Sequence, residues 1–512
     1  MNQIQPTILS TLDFDVMKKN YANLKLVPIC VLFFLIFSVV TNAQVGVGTT
    51  TPHASSVLDV TSTTQGLLTP RMTTAQRNAI VLPADGLMVY DTDLKAFYYY
   101  NAAIPSWLPI STQADGRLKF KRIRSTDNVA TILAAEKVAG SNAKYLLDPT
   151  TYYEINGTVT FDLPIDLNGA YISGVDTNED RLVRAGNLFE GATGGSIRSL
   201  TLQATSGGSV FNISGNATQN LIFRDCIVVS SSSVGTIRGL GLVFVSIVQY
   251  AGNAAGVVYE NISKLLISNA GWFGNNSGTY EKLTGTFDLV QKQGGFTEVV
   301  GTNIGFDVSE NPTINSDAVL ETVVFTGTLT SGKYVNGYTT GSYAGYNFNN
   351  SWTVRCAGIP TETDAGAVGE LAVDYAVGLG INTNFSSINP SNIVKLAAAS
   401  TSTNLFRFST GGQSNRLVYL GRRKRFFQVS GSISFQVSNP GTYIIYIAKN
   451  GSVLSQYKIY GRGLVVSDIV VLPLSALVEM SPNDFVEVYV QRFSSVNLLD
   501  NIITPNMTLV VK

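Results

Sequence analysis

The side chains best placed for chemistry are three acids in one short stretch, Asp176, Glu179 and Asp180 of VDTNEDRLVR, with Arg181 and Arg184 beside them. Glycoside hydrolysis needs two carboxyls about 5–9.5 Å apart, one as acid and one as nucleophile or base. The same oxygens could instead hold calcium. All three crowd one turn, however, and the later acids Asp225, Glu260, Asp288 and Asp307 are scattered. The simpler reading is a solvated turn. No catalytic residue is therefore assigned, and Asp176, Glu179 and Asp180 remain the set an enzyme would use. His53 in TTPHASS is the only histidine. One imidazole cannot complete a zinc site by itself, and histidine-dependent nucleophilic catalysis in the rest of the chain would have to borrow it across domains. Neither a metal nor a cofactor is expected.

Binding chemistry is more plausible over KYVNGYTTGSYAGYNFNNSW, where Tyr338, Tyr343, Tyr346 and Trp352 are interleaved with Gly, Asn and Ser. Such rings can stack on sugars while amides bind hydroxyls, or they can bury themselves over the end of a domain with their polar atoms at the edge. Capping is the plainer account, and the four rings are the candidate ligand residues. The run Arg422, Arg423, Lys424 and Arg425 is the sharpest charge cluster and can meet anionic glycans. A solvated hairpin leading into Phe426 and Phe427 is the plainer account. Cys226 and Cys356 could pair in an oxidising compartment. Cys226, beside Ile227 and Val228, reads more simply as a buried thiol.

The elements that carry these residues follow from composition and period. Charged residues make up 14% of the 512, against about 25% in typical soluble domains, and polarity comes from Ser, Thr and Asn. That suits strands and turns and argues against helical bundles. Lys plus Arg and Asp plus Glu are both 35, so no global field draws nucleic acid. Apolar triplets return at Leu200, Leu221, Leu242, Leu265, Phe287, Ile304 and Val323, in steps of 21, 21, 23, 22, 17 and 19 residues. A period near twenty with one strand-like run per repeat predicts a parallel β-helix, in which stacked coils bury what one coil cannot.

Residues 152–332 are read as that β-helix, preceded by a transition or cap over 113–151, with a short helix near 132–138. An aromatic-rich cap and linker follows over 333–400. Residues 401–512 alternate at period two, and Asn450-Gly451 signals a tight hairpin, which predicts a jelly-roll-like β-sandwich. The fold class is thus all-β: a parallel β-helix shaft, a C-terminal jelly-roll-like sandwich and a small N-terminal module over 44–112. Within that module Thr73 or Thr74 caps a helix Ala75–Ile80, and two strands flank Asp91-Thr92-Asp93. Residues 1–43 read as an export leader, with Lys18, Lys19 and Lys25 before an apolar run from Val27 to Val40, and Met17 as a possible true start. The run is short for a span, so no stable membrane segment is expected once the leader is removed.

Three stretches carry a resemblance. VGVGTTTP, LDV, PRMTTAQRNAI, GLMVYDTD and YYYN follow one another as in an N-terminal module of secreted Gram-negative proteins and phage tail-fibre-like proteins, which implies attachment. YYEINGTVTFDLPIDLNGAYISG resembles the β-helical shafts of phage tail fibres, a group that also includes polysaccharide-cleaving enzymes. VEMSPNDFVEVYVQ is similar to the last strands of C1q-like and tumour-necrosis-factor-like jelly rolls, which implies a homotrimer. Together the resemblances imply a non-enzymatic fibre that binds a cell surface or glycan, secreted or surface-exposed, or on a virion if phage-encoded. The alternative is a β-helical polysaccharide lyase or glycoside hydrolase.

Overall fold

The computed structural model describes residues 44–110, 119–385, 392–495 and 500–512. The leader read over 1–43 lies outside them. No helix among the described residues is long and apolar enough to cross a membrane. The chain divides into two compact units, one ending at Asp115 and one beginning at Gly116.

In the N-terminal unit, Val45–Val47 pairs in parallel with Leu58–Val60, and a separate sheet joins Arg71–Met72, Met88–Asp91, Ala96–Asn101 and Ser106–Pro109. The helix Thr74–Asn78 starts at Thr73, whose hydroxyl accepts the Gln76 amide while the Gln76 side chain accepts the Thr73 amide. This reciprocal cap satisfies two amides that a helix start otherwise leaves open. Arg77 lies 3.0 Å from buried Asp91 and over the Tyr98 ring at 3.9 Å. Among the described residues of this unit, Val89 is the one buried apolar side chain, whereas Val45, Val47, Leu58, Leu67, Leu68 and Phe97 are exposed.

In the second unit about eight turns of β-solenoid stack two sheets whose strand pairs are all parallel. A long sheet runs from Phe120–Arg124 to Trp352–Ala357, and a nine-stranded sheet runs from Tyr145–Leu146 to Lys333–Asn336. Apolar side chains fill the space between them, as in the inward column Leu221, Val243, Leu265, Val290, Ala318 and Trp352. That column advances in steps of 22, 22, 25, 28 and 34 residues. The nearly constant spacing read from sequence therefore drifts off one column. Leu242 faces outward beside inward Val243, Ile304 belongs to the shorter sheet, and Val323 lies beyond a bend in its strand. Each coil holds several apolar runs, so a fixed step can jump from one face to another.

The solenoid sheets extend past 152–332 at both ends. Phe120–Arg124 pairs with Tyr152–Asn156 and forms the first rung, over which the helices Val129–Ile132 and Ala134–Ala139 lie with Leu133 buried. These helices and the ion pairs Lys121–Glu136 and Arg122–Glu154 guard the end strand against open-ended pairing. At the far end, Lys333–Asn336 and Trp352–Ala357 complete the last coil.

The remaining strands make two antiparallel sheets around a second core. One orders Gly369–Asp374, Asp500–Val511, Arg425–Val437 and Ile469–Met480; the other orders Leu417–Tyr419, Phe485–Ser495 and Gly441–Lys449, with Ile459–Gly463 on its edge. Asn450 and Gly451 both have positive φ, 51° and 78°, the geometry of the tight hairpin their types predict. Ile393–Lys395, read as linker from sequence, is a strand pairing with Phe485–Ser495. An IVK triplet is too short to show its period without its partner.

Candidate functional site

The acidic turn is built by Asp180. This carboxylate is buried and accepts the amides of Gly157 and Val175 at 2.7 Å and of Asp176 at 3.0 Å. Burial alone would push its pKa up, but the three amides outweigh it and hold the carboxyl below its usual range. An acid saturated by backbone donors fixes a loop and has no proton to give at neutral pH. Asp176 accepts the Asn178 amide at 2.8 Å and is exposed, as is Glu179. The three acids thus share one turn with different tasks.

The aromatic residues close the last coil. Trp352 is fully buried and donates from Nε1 to the Tyr338 hydroxyl at 3.0 Å, which in turn donates to the Pro312 carbonyl at 2.7 Å. A ring without an accessible face has none to offer a sugar, so Tyr338 and Trp352 act in packing. Tyr346 stacks on Phe406 at 4.0 Å between centroids, and Tyr343 meets the same ring edge-on at 5.3 Å. Phe406 lies between the last coil and the sandwich, so these half-buried rings line that junction.

The basic run stays at the surface, with Arg422, Arg423 and Lys424 exposed, and is tied into the same junction. Arg422 lies 2.9 Å from Asp317 and donates to the Ser351 carbonyl at 2.9 Å. Asp364 accepts the backbone amides of Arg422 and Arg423 at 3.0 and 2.9 Å and pairs with buried Arg407, which also donates to the Trp352 and Glu362 carbonyls. Lys424 pairs with Glu479 at 2.7 Å. Burial raises the pKa of Glu362 despite amides donated by Asn347 and Phe348.

The sequence reading missed a hollow of about 530 Å³ on the side of the solenoid. The loop Val175–Thr177 lines it together with Ser199, Asp225, Ile227, Ile247 and Gln249 from successive coils. Asp225 Oδ2 takes both Arg224 Nε at 3.0 Å and Arg198 Nε at 3.2 Å. Cys226 forms part of the lining, but its thiol is buried and donates to the Arg224 carbonyl at 3.0 Å; burial pushes its pKa up to about 12. Cys226 and Cys356 are both free. Only the register of the coils brings the lining residues together, and no local motif marks them.

His53 sits in an exposed loop with Nδ1 2.8 Å from the Ser55 hydroxyl. Among the described residues no group of three His, Cys, Asp or Glu side chains is arranged to hold a metal.

Comparison with known proteins finds that residues 46–128 match the family model described as a phage tail like trimerisation region. No curated protein matches. Among solved structures, murine APRIL at pH 8.5 is similar, with 10% identity, 28% of this chain and 98% of that chain covered, and a TM-score of 0.19. The enzymatically active domain of bacteriophage CBA120 tailspike protein 4 is similar at 9% identity, with 86% of this chain and 77% of that chain covered, and a TM-score of 0.19.

Proposed function

We propose that the chain is a structural and adhesive fibre subunit, trimeric through its N-terminal module, with a β-helical shaft and a jelly-roll-like tip that together engage a cell surface or its glycans. One observation carries this reading: among its described residues the N-terminal unit leaves Val45, Val47, Leu58, Leu67, Leu68 and Phe97 exposed and buries one apolar side chain, Val89. An exposed apolar set of that kind marks an interaction surface, and the trimerisation-region match over residues 46–128 makes two further copies of the chain its natural cover. Within the second unit, stacked parallel coils and a clamp of Arg407, Arg422 and Asp364 between the last coil and the sandwich favour a stiff body able to carry a binding surface. We assign the module to 44–112, the shaft to a core over 152–332 with its end coils, and the tip to 401–512 with the strands that join it. The protein is expected on a virion or at a cell surface.

The second reading, a polysaccharide-cleaving enzyme, is favoured by the proximity of Asp176 and Asp225 in one hollow. One experiment separates the two. The full chain is incubated with purified bacterial surface polysaccharides, and both retention and the appearance of new reducing ends are measured. Retention without new ends is expected. New reducing ends that disappear in Asp176→Asn would replace the adhesive reading with the enzymatic one.

A further inference from the structure

Six coils share one column of left-handed residues: Ser199, Asp225, Ile247, Asn269, Gly294 and Thr322, with φ between 52° and 66°. Gly and Asn occupy that conformation at little cost, and Ser and Asp are tolerated, but a β-branched residue there is an outlier. Thr322 has a polar reason, since its hydroxyl accepts the Gly294 amide at 3.1 Å. Ile247 has no such bond to make. Its side chain is 52% exposed at the hollow. The fold therefore holds a strained residue where it gains no core packing, and strain of this kind collects at ligand sites.

The surroundings restrict what Ile247 can serve. Ile227 adds a second apolar surface one coil away, while Gln249 and Asp176 are exposed polar groups and Ser199 supplies a hydroxyl. Both arginines on Asp225 reach Oδ2, which leaves Oδ1 as an acceptor. Asp225 already takes both nearby guanidinium groups and Asp176 adds an exposed carboxylate, so among the described lining residues no cation is left over for a phosphate and a nucleic acid is a poor occupant. A wholly apolar ligand would strand the amide and the acids. Hydroxyl donors, in contrast, suit carboxylate acceptors, and an aliphatic surface suits the C–H face of a ring. A hollow of this size lies within the range for small ligands. Its walls repeat at the rung spacing of about 4.8 Å, which matches a chain of short repeating rings.

We infer that this hollow is a saccharide-binding site, with Ile247 and Ile227 as its apolar platform and Asp176, Asp225, Ser199 and Gln249 bonding the hydroxyls. This rests on the adhesive reading and places its binding on the shaft's side.

The test uses the full chain on a printed array of bacterial capsular and O-antigen oligosaccharides, followed by titration of the strongest hit. Ile247→Asn removes the platform and relieves the backbone, so it should weaken binding at least tenfold while raising the melting midpoint by about 2–4 °C. Gln249→Ala should weaken binding without moving the midpoint. Asn269→Gly, in the same column one coil beyond the hollow, should leave binding unchanged. If the protein binds and both hollow variants bind as tightly as the parent, the site assignment is overturned and adhesion stands. If the parent binds no glycan on the array, the assignment falls, and retention on whole-cell envelopes then decides whether adhesion falls with it.

Discussion

Lys292 and Glu281 face each other inside the solenoid, and removing them one at a time or together should have opposite effects. Lys292 is the single charge in an inward column of Ile197, Phe223, Val245, Ile267, Leu320 and Val354, and Glu281 interrupts a column of Phe189, Phe211, Gly235, Val257, Phe306 and Val335. Their charged atoms are 2.7 Å apart, and both side chains are 1% exposed. At an effective dielectric of about 20 the attraction is about 6 kcal/mol, comparable with a desolvation cost of several kcal/mol for each ion. The pair should therefore contribute little net stability. Lys292→Leu or Glu281→Leu alone leaves a bare buried charge and should cost about 3–5 kcal/mol, whereas the double variant should lie between neutral and about 4 kcal/mol more stable. Unfolding in guanidinium, followed through the fluorescence of Trp272 and Trp352, measures this. Each single variant should unfold at least tenfold faster than the parent at fixed denaturant, and the double variant no faster than the parent. A double variant as labile as the sum of the singles would refute the placement of this pair in a dry, apolar lumen.

Other consequences follow from the same geometry. The native pKa of Asp180 lies below its unfolded value, so the stability it contributes is full above about pH 4 and is lost as pH falls through the native value; Asp180→Asn should cost about 1.5–3 kcal/mol at pH 7 and flatten the acid limb of a stability–pH curve. Asn253 is buried, accepts the Ser231 amide at 3.1 Å and donates to the Val228 carbonyl and to Asn276; Asn253→Leu should strand those groups and cost about 1–3 kcal/mol, read as faster unfolding in guanidinium. Asp364→Ala should loosen the sandwich from the last coil, seen as new protease cleavage between residues 357 and 369 while both cores stay protected.

Much of the architecture was legible because stacking forces apolar residues to recur, and the period-two alternation of 401–512 with Asn450-Gly451 located a sandwich and one of its turns. The helix start at Thr73 was readable because capping is local. What sequence concealed depends on register. The basic run is exposed, as a solvated hairpin requires, but its ties to Asp317 and Asp364 were not legible because those partners lie roughly 60 or more positions away. Tyr338 and Trp352 read more plainly as a cap, the role their burial fits, but aromatics beside Gly and Asn have the same composition whether they cap or bind, so the sugar-stacking alternative stayed open. The hollow was invisible because Asp176, Asp225, Ile247 and Gln249 become neighbours only when coil lengths are known to the residue.

In the proposed fibre the N-terminal module joins three chains. Sedimentation equilibrium of the full chain at micromolar concentration tests it most directly. The account predicts a mass of three chains, falling toward one when residues 44–112 are removed. A full-length chain that sediments as a single copy would contradict it.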